Sequence, residues 1–242
     1  MENKSDWFVN WFDTPYYHML YDHRDENEAK YFMKNLISFL QLKKGDKILD
    51  LPCGKGRHSL FLNNEGFDVV GSDLSVNSIQ AAKQFENKTL KFSLHDMRKP
   101  IQGKYNAIFN LFTSFGYFED ETSNITVLKN FKNALLKKGF IVVDFLNIDK
   151  VLKDLIPKQE LIKNGITFKI HKYVENDILT KDIYFEADQK KHHFTEKLQC
   201  LDLDKMKGLT KMAGLEVSHI FGNYKLNAFD KNTSDRLILI LE

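Results

Sequence analysis

Residues 48–59 read ILDLPCGKGRHS, and this stretch decides the fold. A short apolar strand ends in Asp50, a turn carries Gly54 and Gly56, and a helical pattern follows. Glycines at such a turn let the backbone approach a ligand closely, because no Cβ stands in the way. The start of the helix offers free N–H groups and the positive end of the helix dipole. The stretch therefore predicts a ligand site at a strand–turn–helix junction.

Helical and strand patterns alternate along most of the chain. Predicted helices cover residues 26–40, 57–65, 76–85, 122–137 and 204–213. Predicted strands cover residues 47–51, 67–73, 90–96, 105–112, 139–146, 215–221 and 236–242. Strands separated by helical segments of about 10–15 residues indicate βαβ units and a parallel sheet.

The pattern changes between residues 158 and 200. Three stretches there alternate apolar and polar residues with a period of two: 166–174, 178–187 and 191–199. Short polar segments that resemble hairpin turns separate them. We expect residues 158–200 to form a small antiparallel insertion in the α/β pattern.

Length and composition exclude several classes of protein. The chain has 242 residues, of which 43% are hydrophobic. It can bury a full core without disulfides or a structural metal, and it is too apolar to be disordered. A net charge of +2 does not suggest a strong polyanion partner.

The cysteines and the apolar runs bear on localisation. Cys53 and Cys200 form neither a disulfide framework nor a metal-binding CxxC motif, which fits a reducing cytoplasm. No apolar run reaches the roughly 18 residues that a membrane span needs. The N-terminal residues lack the pattern of a signal peptide. We therefore expect a cytoplasmic protein with no metal site and no membrane partner.

A second acid narrows the class of ligand. Asp73 ends the second predicted strand, and a carboxylate at that position can accept hydrogen bonds from both hydroxyls of a ribose. The dinucleotide fingerprint G-x-G-x-x-G is incomplete, because Ser59 stands in place of the third glycine. The Asp50 carboxylate would repel a pyrophosphate and favour an ammonium or a sulfonium. A P-loop is also absent.

These residues resemble the motifs of the class I S-adenosylmethionine (SAM)-dependent methyltransferases. The first motif of that family, acid-x-Gly-x-Gly-x-Gly, matches residues 50–56, with Pro52 in place of the first glycine. The acid that ends the family's second strand matches Asp73-Leu74, and the acid after its third strand matches Asp96-Met97. The resemblance covers residues 30–150 and 204–242.

The resemblance implies an α/β fold with one domain over residues 1–242. That fold is a Rossmann-like, doubly wound, seven-stranded sheet whose last strand is antiparallel, here with the small antiparallel β insertion. The implied cofactor is SAM, and the implied product is S-adenosylhomocysteine. The residues implied to bind the cofactor are Asp50, Pro52, Gly54, Gly56, Asp73, Leu74, Asp96, Met97 and Asn110.

The N-terminal segment, residues 1–25, resembles the lid of small-molecule methyltransferases, including those that act on amino sugars and on glycine. The resemblance rests on residues 17–21, YHMLY, followed by Arg24-Asp25. A lid tyrosine in such enzymes reaches the methyl group of SAM, which implies a catalytic role for Tyr17. The insertion at 158–200 would roof the acceptor pocket, with substrate contacts from Tyr21, Ser114 and Tyr117.

The implied reaction is in-line displacement of the methyl group by a nitrogen or oxygen atom of a small-molecule acceptor. Because the donor is already activated, the protein mainly positions two reactants, which contributes about 7–11 kcal/mol. A general base is needed only for an acceptor that arrives protonated. Candidate bases are His18, His58, His95, Asp144, Tyr17 and Tyr117.

Three alternatives stay open. An RNA (tRNA or rRNA) methyltransferase would need a basic face continuous with the pocket and a steep salt dependence of binding. Residues 110–117 lack the Asn/Asp-Pro-Pro-aromatic box typical of enzymes that methylate base amines, which argues against nucleic acid as a partner. A non-catalytic SAM-binding protein would yield no S-adenosylhomocysteine with any acceptor. A nicotinamide-dependent dehydrogenase would bind NAD.

Overall fold

Two β-sheets organise the chain. The computed structural model describes residues 7–21, 26–118 and 120–242. The strands, in chain order, are β1 (Lys47–Asp50), β2 (Asp68–Asp73), β3 (Leu90–Leu94), β4 (Tyr105–Asn110), β5 (Leu135–Leu146), β6 (Lys158–Lys163), β7 (Ile166–Glu175), β8 (Ile178–Ala187), β9 (Lys190–Gln199), β10 (Val217–Phe221) and β11 (Arg236–Leu241).

Helices pack on both faces of the larger sheet, and further helices form the N-terminal segment. The helices are α1 (Trp7–Phe12), α2 (Pro15–Leu20), α3 (Glu26–Phe39), α4 (Arg57–Asn64), α5 (Val76–Ala82), α6 (Glu121–Ala134), α7 (Ile148–Lys153) and α8 (Leu203–Met212), with a 3₁₀ turn at Lys83–Phe85. Within the described residues, no helix is both long enough and apolar enough to cross a membrane.

The larger sheet has seven strands in the order β10-β11-β5-β4-β1-β2-β3. Strand β1 pairs in parallel with β2 and β4, while β11 pairs antiparallel with β5 and β10. The predicted seven-stranded sheet with an antiparallel last strand is confirmed. Because the chain runs outward to both sides from β1 and β4, a crevice opens at the carboxyl ends of these strands, where doubly wound sheets bind ligands.

Alternating side chains of the central strands enter two separate cores. Ile48 packs in the core that includes Phe32 of α3 and Leu62 of α4, whereas Leu49 packs in the core that includes Phe131 of α6. Strands that are buried on both faces need nearly continuous apolar sequence, which explains the clean runs at β1 and β5. The two helical layers hold the carboxyl edge of the sheet in place.

The smaller sheet has four antiparallel strands in the order β6-β7-β8-β9, which confirms the predicted insertion. Its inner face packs Phe168, Ile170, Ile183 and Phe185 against Trp11 and Leu20 of the N-terminal helices. Strand β6 was not predicted, because its sequence KQELIK is polar enough to read as a loop. The short helix α7 before it also escaped prediction.

Two boundaries differ from the prediction. Helix α6 ends at Ala134, and β5 begins at Leu135 rather than at Gly139. Leu135 already pairs with Tyr105 of β4 across a register irregularity, so tertiary pairing shortens the helix.

In the N-terminal segment, Thr14 caps α2 by accepting a hydrogen bond from the Tyr17 amide. The predicted lid residues 1–6 and 22–25, including Arg24 and Asp25, lie outside the described residues.

The glycines of the turn after β1 allow a paired test of packing. Gly54 and Gly56 both have positive φ, 54° and 81°, which costs a residue with a Cβ about 1–2 kcal/mol. A Cβ at Gly56 would lie 2.6 Å from the Phe92 ring, whereas a Cβ at Gly54 would meet no atom within 4 Å. We expect Gly56→Ala to lower the free energy of unfolding in urea by about 1–3 kcal/mol more than Gly54→Ala does. Equal losses would show that contact with Phe92 is not the constraint.

Candidate active site

A cavity of about 1010 Å³ lies at the carboxyl ends of the parallel strands. One part of its wall comes from the turn after β1 and from the residues that follow β2 and β3. The opposite part comes from the N-terminal helices, residues 111–118 and the inner face of the smaller sheet. This volume lies at the upper end of the range for small-molecule sites.

The turn after β1 is held from behind by Asp50. This carboxyl group is 2% exposed and accepts a hydrogen bond from the Ser59 hydroxyl at 2.6 Å. Burial raises the pKa of Asp50 to about 7, the nearby charge of Asp73 adds to the rise, and the Ser59 hydrogen bond opposes it. Asp50 therefore supports the turn without lining the cavity.

Asp73 stands in the cavity wall at the end of β2. Its Oδ2 accepts from the Gly54 amide at 2.7 Å, and its Oδ1 accepts from the Ser75 amide at 2.9 Å. Burial raises the pKa of Asp73, while these backbone hydrogen bonds work in the opposite direction. Each carboxylate oxygen can accept a further hydrogen bond, so the group remains able to bind a ligand hydroxyl.

Asp96 lies in the wall after β3 and is paired with Arg98. The guanidinium Nε lies 3.1 Å from Oδ1, and Nη2 lies 2.7 Å from Oδ2. Burial acts to raise the pKa of Asp96, but the hydrogen bonds from Arg98 outweigh it and lower the pKa. Met97 lines the cavity beside this ionised carboxylate. The Nε2 atom of His95, also in the wall, is buried and finds no partner among the described residues.

A partly buried ionic network joins the N-terminal helices to the smaller sheet. Tyr21 donates its hydroxyl proton to Glu196 at 2.8 Å, and Trp11 Nε1 donates to the same carboxylate at 2.6 Å. Lys181 contacts the Tyr21 hydroxyl and lies 3.6 Å from Glu196. Burial, followed by the charge of Glu196, raises the pKa of Tyr21 well above its usual value, so the phenol stays neutral.

Asp13 provides a second anchor for the N-terminal helices, at the connection between β2 and α5. Its carboxylate accepts hydrogen bonds from the Ser75 hydroxyl and from Asn77 Nδ2, at the start of α5. Ser75 and Asn77 lie two and four residues after Asp73 in sequence. The N-terminal segment is thus attached beside the Asp73 wall and to the insertion, so it spans the cavity.

The structure brings most of the predicted site residues together. The cavity is lined by Pro52, Gly54, Asp73, Leu74, Asp96, Met97, Tyr17, Tyr21, Ser114 and Tyr117. Three predicted cofactor residues, Asp50, Gly56 and Asn110, lie behind the wall and do not line it. Asn110 is fully buried and donates from Nδ2 to the Leu51 carbonyl at 2.8 Å, so it supports the turn from below.

One candidate base is excluded by its burial. Asp144 is 0% exposed, and its carboxylate accepts hydrogen bonds from Arg236 and from the Phe112 amide. It does not line the cavity, so the prediction that it could act as a base on an acceptor there is wrong. The other candidates all line the cavity: His18, His58, His95, Tyr17 and Tyr117.

Sequence reasoning missed four residues of the wall and its supports. Lys181, Glu196 and Arg236 line the cavity, and Arg236 also pairs with Asp144. Asp13 anchors the helices without lining the cavity. Lys181 and Glu196 are register partners on the apolar inner face of the smaller sheet. Charged residues at inward positions of an alternating strand were the available signal for these two.

The sequence matches a family model and several known proteins. The family model described as "Methyltransferase domain" matches residues 42–212. The chain is 31% identical over 140 residues to the glycine/sarcosine N-methyltransferase of Halorhodospira halochloris, covering 54% of this chain and 50% of that protein. The chain thus spans about half the length of this curated relative.

Two solved structures share the fold. A SAM-dependent methyltransferase from Clostridium acetobutylicum superposes with a TM-score of 0.80 at 18% identity, covering 94% of this chain and 95% of that one. The SAM-bound amino pentose methyltransferase CalS10 from Micromonospora echinaspora superposes with a TM-score of 0.70 at 14% identity, covering 94% and 96%.

The buried Asp50 predicts a pH dependence of stability. Its pKa rises from 3.8 to about 7 in the folded chain, so the folded state binds an additional proton between these values. Stability therefore decreases as the pH rises through this interval. Relative to Asp50→Asn, which cannot ionise, the wild-type chain should lose roughly 2–4 kcal/mol of unfolding free energy between pH 4 and pH 7.

Urea denaturation of both proteins over this pH range measures the difference. Ser59→Ala serves as a matched variant, because it removes the hydrogen bond that opposes the rise and should extend the decrease to higher pH. If the free energy of unfolding changed with pH in the same way for the wild type and for Asp50→Asn, the raised pKa of Asp50 would be contradicted.

Proposed function

This chain belongs to the family of SAM-dependent methyltransferases, and we propose that it transfers a methyl group from SAM to a nitrogen or oxygen atom of a small-molecule acceptor. The observation that carries the proposal is the continuity of the cavity, which extends from the Asp73 wall to the N-terminal helices and the smaller sheet. A methyl donor and a small acceptor can therefore meet inside one continuous cavity.

The side chains at the Asp73 end of the cavity fit SAM. Asp73 offers carboxylate oxygens suited to the ribose hydroxyls, and Asp96 with Met97 offers a carboxylate and an apolar side chain for the adenine. The space in front of Gly54 contains no atom within 4 Å of a Cβ position, so a ligand can approach the backbone there. The carboxylates near the turn favour the positive charges of the ligand.

Bound SAM supplies a methyl group that its positively charged sulfur has already activated. The chain's own residues bind and orient the two reactants and exclude water. Positioning of this kind contributes about 7–11 kcal/mol. We propose that Ser114 and Tyr117, together with Tyr21 and the inner face of the insertion, hold the acceptor opposite the donor for in-line displacement.

Amines are the acceptor class to test first. The relative from Halorhodospira halochloris is named for glycine and sarcosine, and CalS10 is named for an amino pentose. The rings of Phe12, Tyr17 and Tyr117 line the cavity together, and aromatic faces attract cationic or methylated nitrogen. This combination supports a small amine over a nucleic acid as the acceptor.

Tyr17 is the residue that we propose to contact the reacting groups. Its ring packs 4.8 Å from Phe12 and 4.9 Å from Tyr21, within the part of α2 that faces the cavity. The capped start of α2 fixes the direction of this side chain, because Thr14 accepts the Tyr17 amide proton. Its hydroxyl can then act as a hydrogen-bonding group at the acceptor.

Asp73→Asn tests the cofactor site. Loss of a charged acceptor of ligand hydrogen bonds costs about 1.5–3 kcal/mol, so calorimetry should show S-adenosylhomocysteine binding at least about tenfold weaker. Asp68→Asn, at the other end of β2 and outside the cavity, is the matched control and should bind as the wild type does. Unchanged binding by Asp73→Asn would overturn the assignment of the ribose site.

Tyr17→Phe tests the catalytic proposal. With glycine, sarcosine and amino sugars as acceptors, formation of S-adenosylhomocysteine should fall by about 10²-fold or more if the hydroxyl takes part in proton transfer. Tyr16→Phe is the control, since the Tyr16 hydroxyl points away to Asp188 and does not line the cavity.

The same assay separates the remaining alternatives. A wild-type chain that binds SAM but forms no S-adenosylhomocysteine with any acceptor would be a non-catalytic binding protein. Methylation of tRNA or rRNA in place of small amines would instead identify an RNA methyltransferase.

A further inference from the structure

Two consecutive residues after β4 adopt an unfavourable backbone conformation. Phe112 and Thr113 both have φ of 60°, in the left-handed region that residues with a Cβ avoid. Thr113 is β-branched, which makes this region still less favourable. Such a conformation persists only where the surrounding structure holds it.

The ion pair between the buried Asp144 and the partly buried Arg236 holds these two residues in place. Asp144 Oδ2 accepts from the Phe112 amide at 2.7 Å, and the Asp144 carbonyl accepts from the Thr113 amide at 2.9 Å. Arg236 Nε lies 2.8 Å from Asp144 Oδ1, and Arg236 Nη2 donates to Thr113 Oγ1 at 2.9 Å. Residues on β5 and β11 thus bind both left-handed residues through backbone and side chain.

The guanidinium is cationic in this setting. Burial acts to lower the pKa of Arg236, but the Asp144 carboxylate beside it outweighs burial and raises the pKa. Tyr224 also reaches Asp144 Oδ2, with its hydroxyl at 3.4 Å. The Asp144 carboxylate is therefore shared between a cation, a backbone amide and a phenol, all of which donate to it.

The segment that this pair holds forms the cavity wall. The Phe112 ring lies 4.6 Å from the His58 ring, and Ser114 and Tyr117 follow directly in the wall. Gln199 fixes the far end of the segment, because its backbone amide donates to the Gly116 carbonyl at 2.8 Å. The direction of the wall is thus set at its start by the ion pair and at its end by the insertion.

We infer that Asp144 and Arg236 are positioning residues, which hold Phe112 and Thr113 left-handed so that Ser114 and Tyr117 face the acceptor. The inference rests on the proposed function, because an acceptor wall has meaning only if methyl transfer occurs. In this role, neither Asp144 nor Arg236 needs to exchange a proton with the acceptor. A merely structural ion pair would instead stabilise the whole sheet without a specific effect on the acceptor.

Asp144→Asn is the main test. An amide side chain offers one oxygen where the carboxylate serves several donors, so Arg236 and the Phe112 amide can no longer both be satisfied. We expect hydrogen exchange at the Phe112 and Thr113 amides to rise at least tenfold relative to the Ile108 amide of β4, which reports opening of the sheet. The KM for the acceptor should rise about tenfold or more, while the Kd for S-adenosylhomocysteine changes less than threefold.

Two further variants keep the test decisive if Asp144→Asn is poorly folded. Arg236→Lys retains the positive charge but cannot bridge Asp144 and Thr113 with a planar fork, so it should raise the acceptor KM by less than Asp144→Asn does. Asp149→Asn removes another ion pair, with Lys231 at 3.1 Å, that touches neither the wall nor the cavity. It should leave both the exchange rates and the acceptor KM as in the wild type.

The outcomes separate this inference from the proposed function. Unchanged exchange at Phe112 and Thr113, with only a general loss of stability, would overturn the positioning role. Faster exchange together with weaker S-adenosylhomocysteine binding and an unchanged acceptor KM would also overturn it. A wild-type chain that methylates no acceptor would defeat the proposed function, while the exchange measurement would still show whether the pair holds the segment.

Discussion

The hydrogen bond between Ser59 and the buried Asp50 carboxyl group is the contact on which the rest of the site depends. It ties the first turns of α4 to the end of the central strand β1, with the Gly54–Gly56 turn between them. Because that turn is fixed, the Gly54 amide points at Asp73 and orients its carboxylate. The close approach of Gly56 to Phe92 completes the arrangement, since no larger residue would let helix and sheet come so near.

The half of the site near Asp73 could be predicted because local sequence specifies it. A strand, a glycine turn and a helix occupy consecutive positions, and parallel strands bring their carboxyl ends to one edge of the sheet. Asp73 and Asp96 follow neighbouring strands, so their placement in one wall needs only the strand order. Local sequence could not distinguish residues that line the cavity from residues that support its wall. Asp50 and Asn110 are buried behind the wall and do not line the cavity.

The other half could not be predicted because distant segments build it. Tyr21 and Glu196 are separated by 175 residues in the chain, yet their hydrogen bond helps to close the cavity. The sequence shows that both residues exist but contains no spacing that links them. Asp144 illustrates the same limit, because an acid at the end of a strand reads as a candidate base until burial and the pairing with Arg236 are known.

This division has a consequence for how such a site can change. The Asp73 half depends on contacts within the sheet core, where a substitution disturbs the fold itself. The opposite half depends on the apolar cluster between the N-terminal helices and the insertion, and on hydrogen bonds that join these segments and the segment after β4 to their neighbours. Substitutions in those segments can reshape the acceptor wall while the turn after β1 keeps its geometry. The two halves meet at Phe112 and Thr113. Their left-handed backbone conformation is intrinsically unfavourable, and contacts from the edge of the sheet stabilise it.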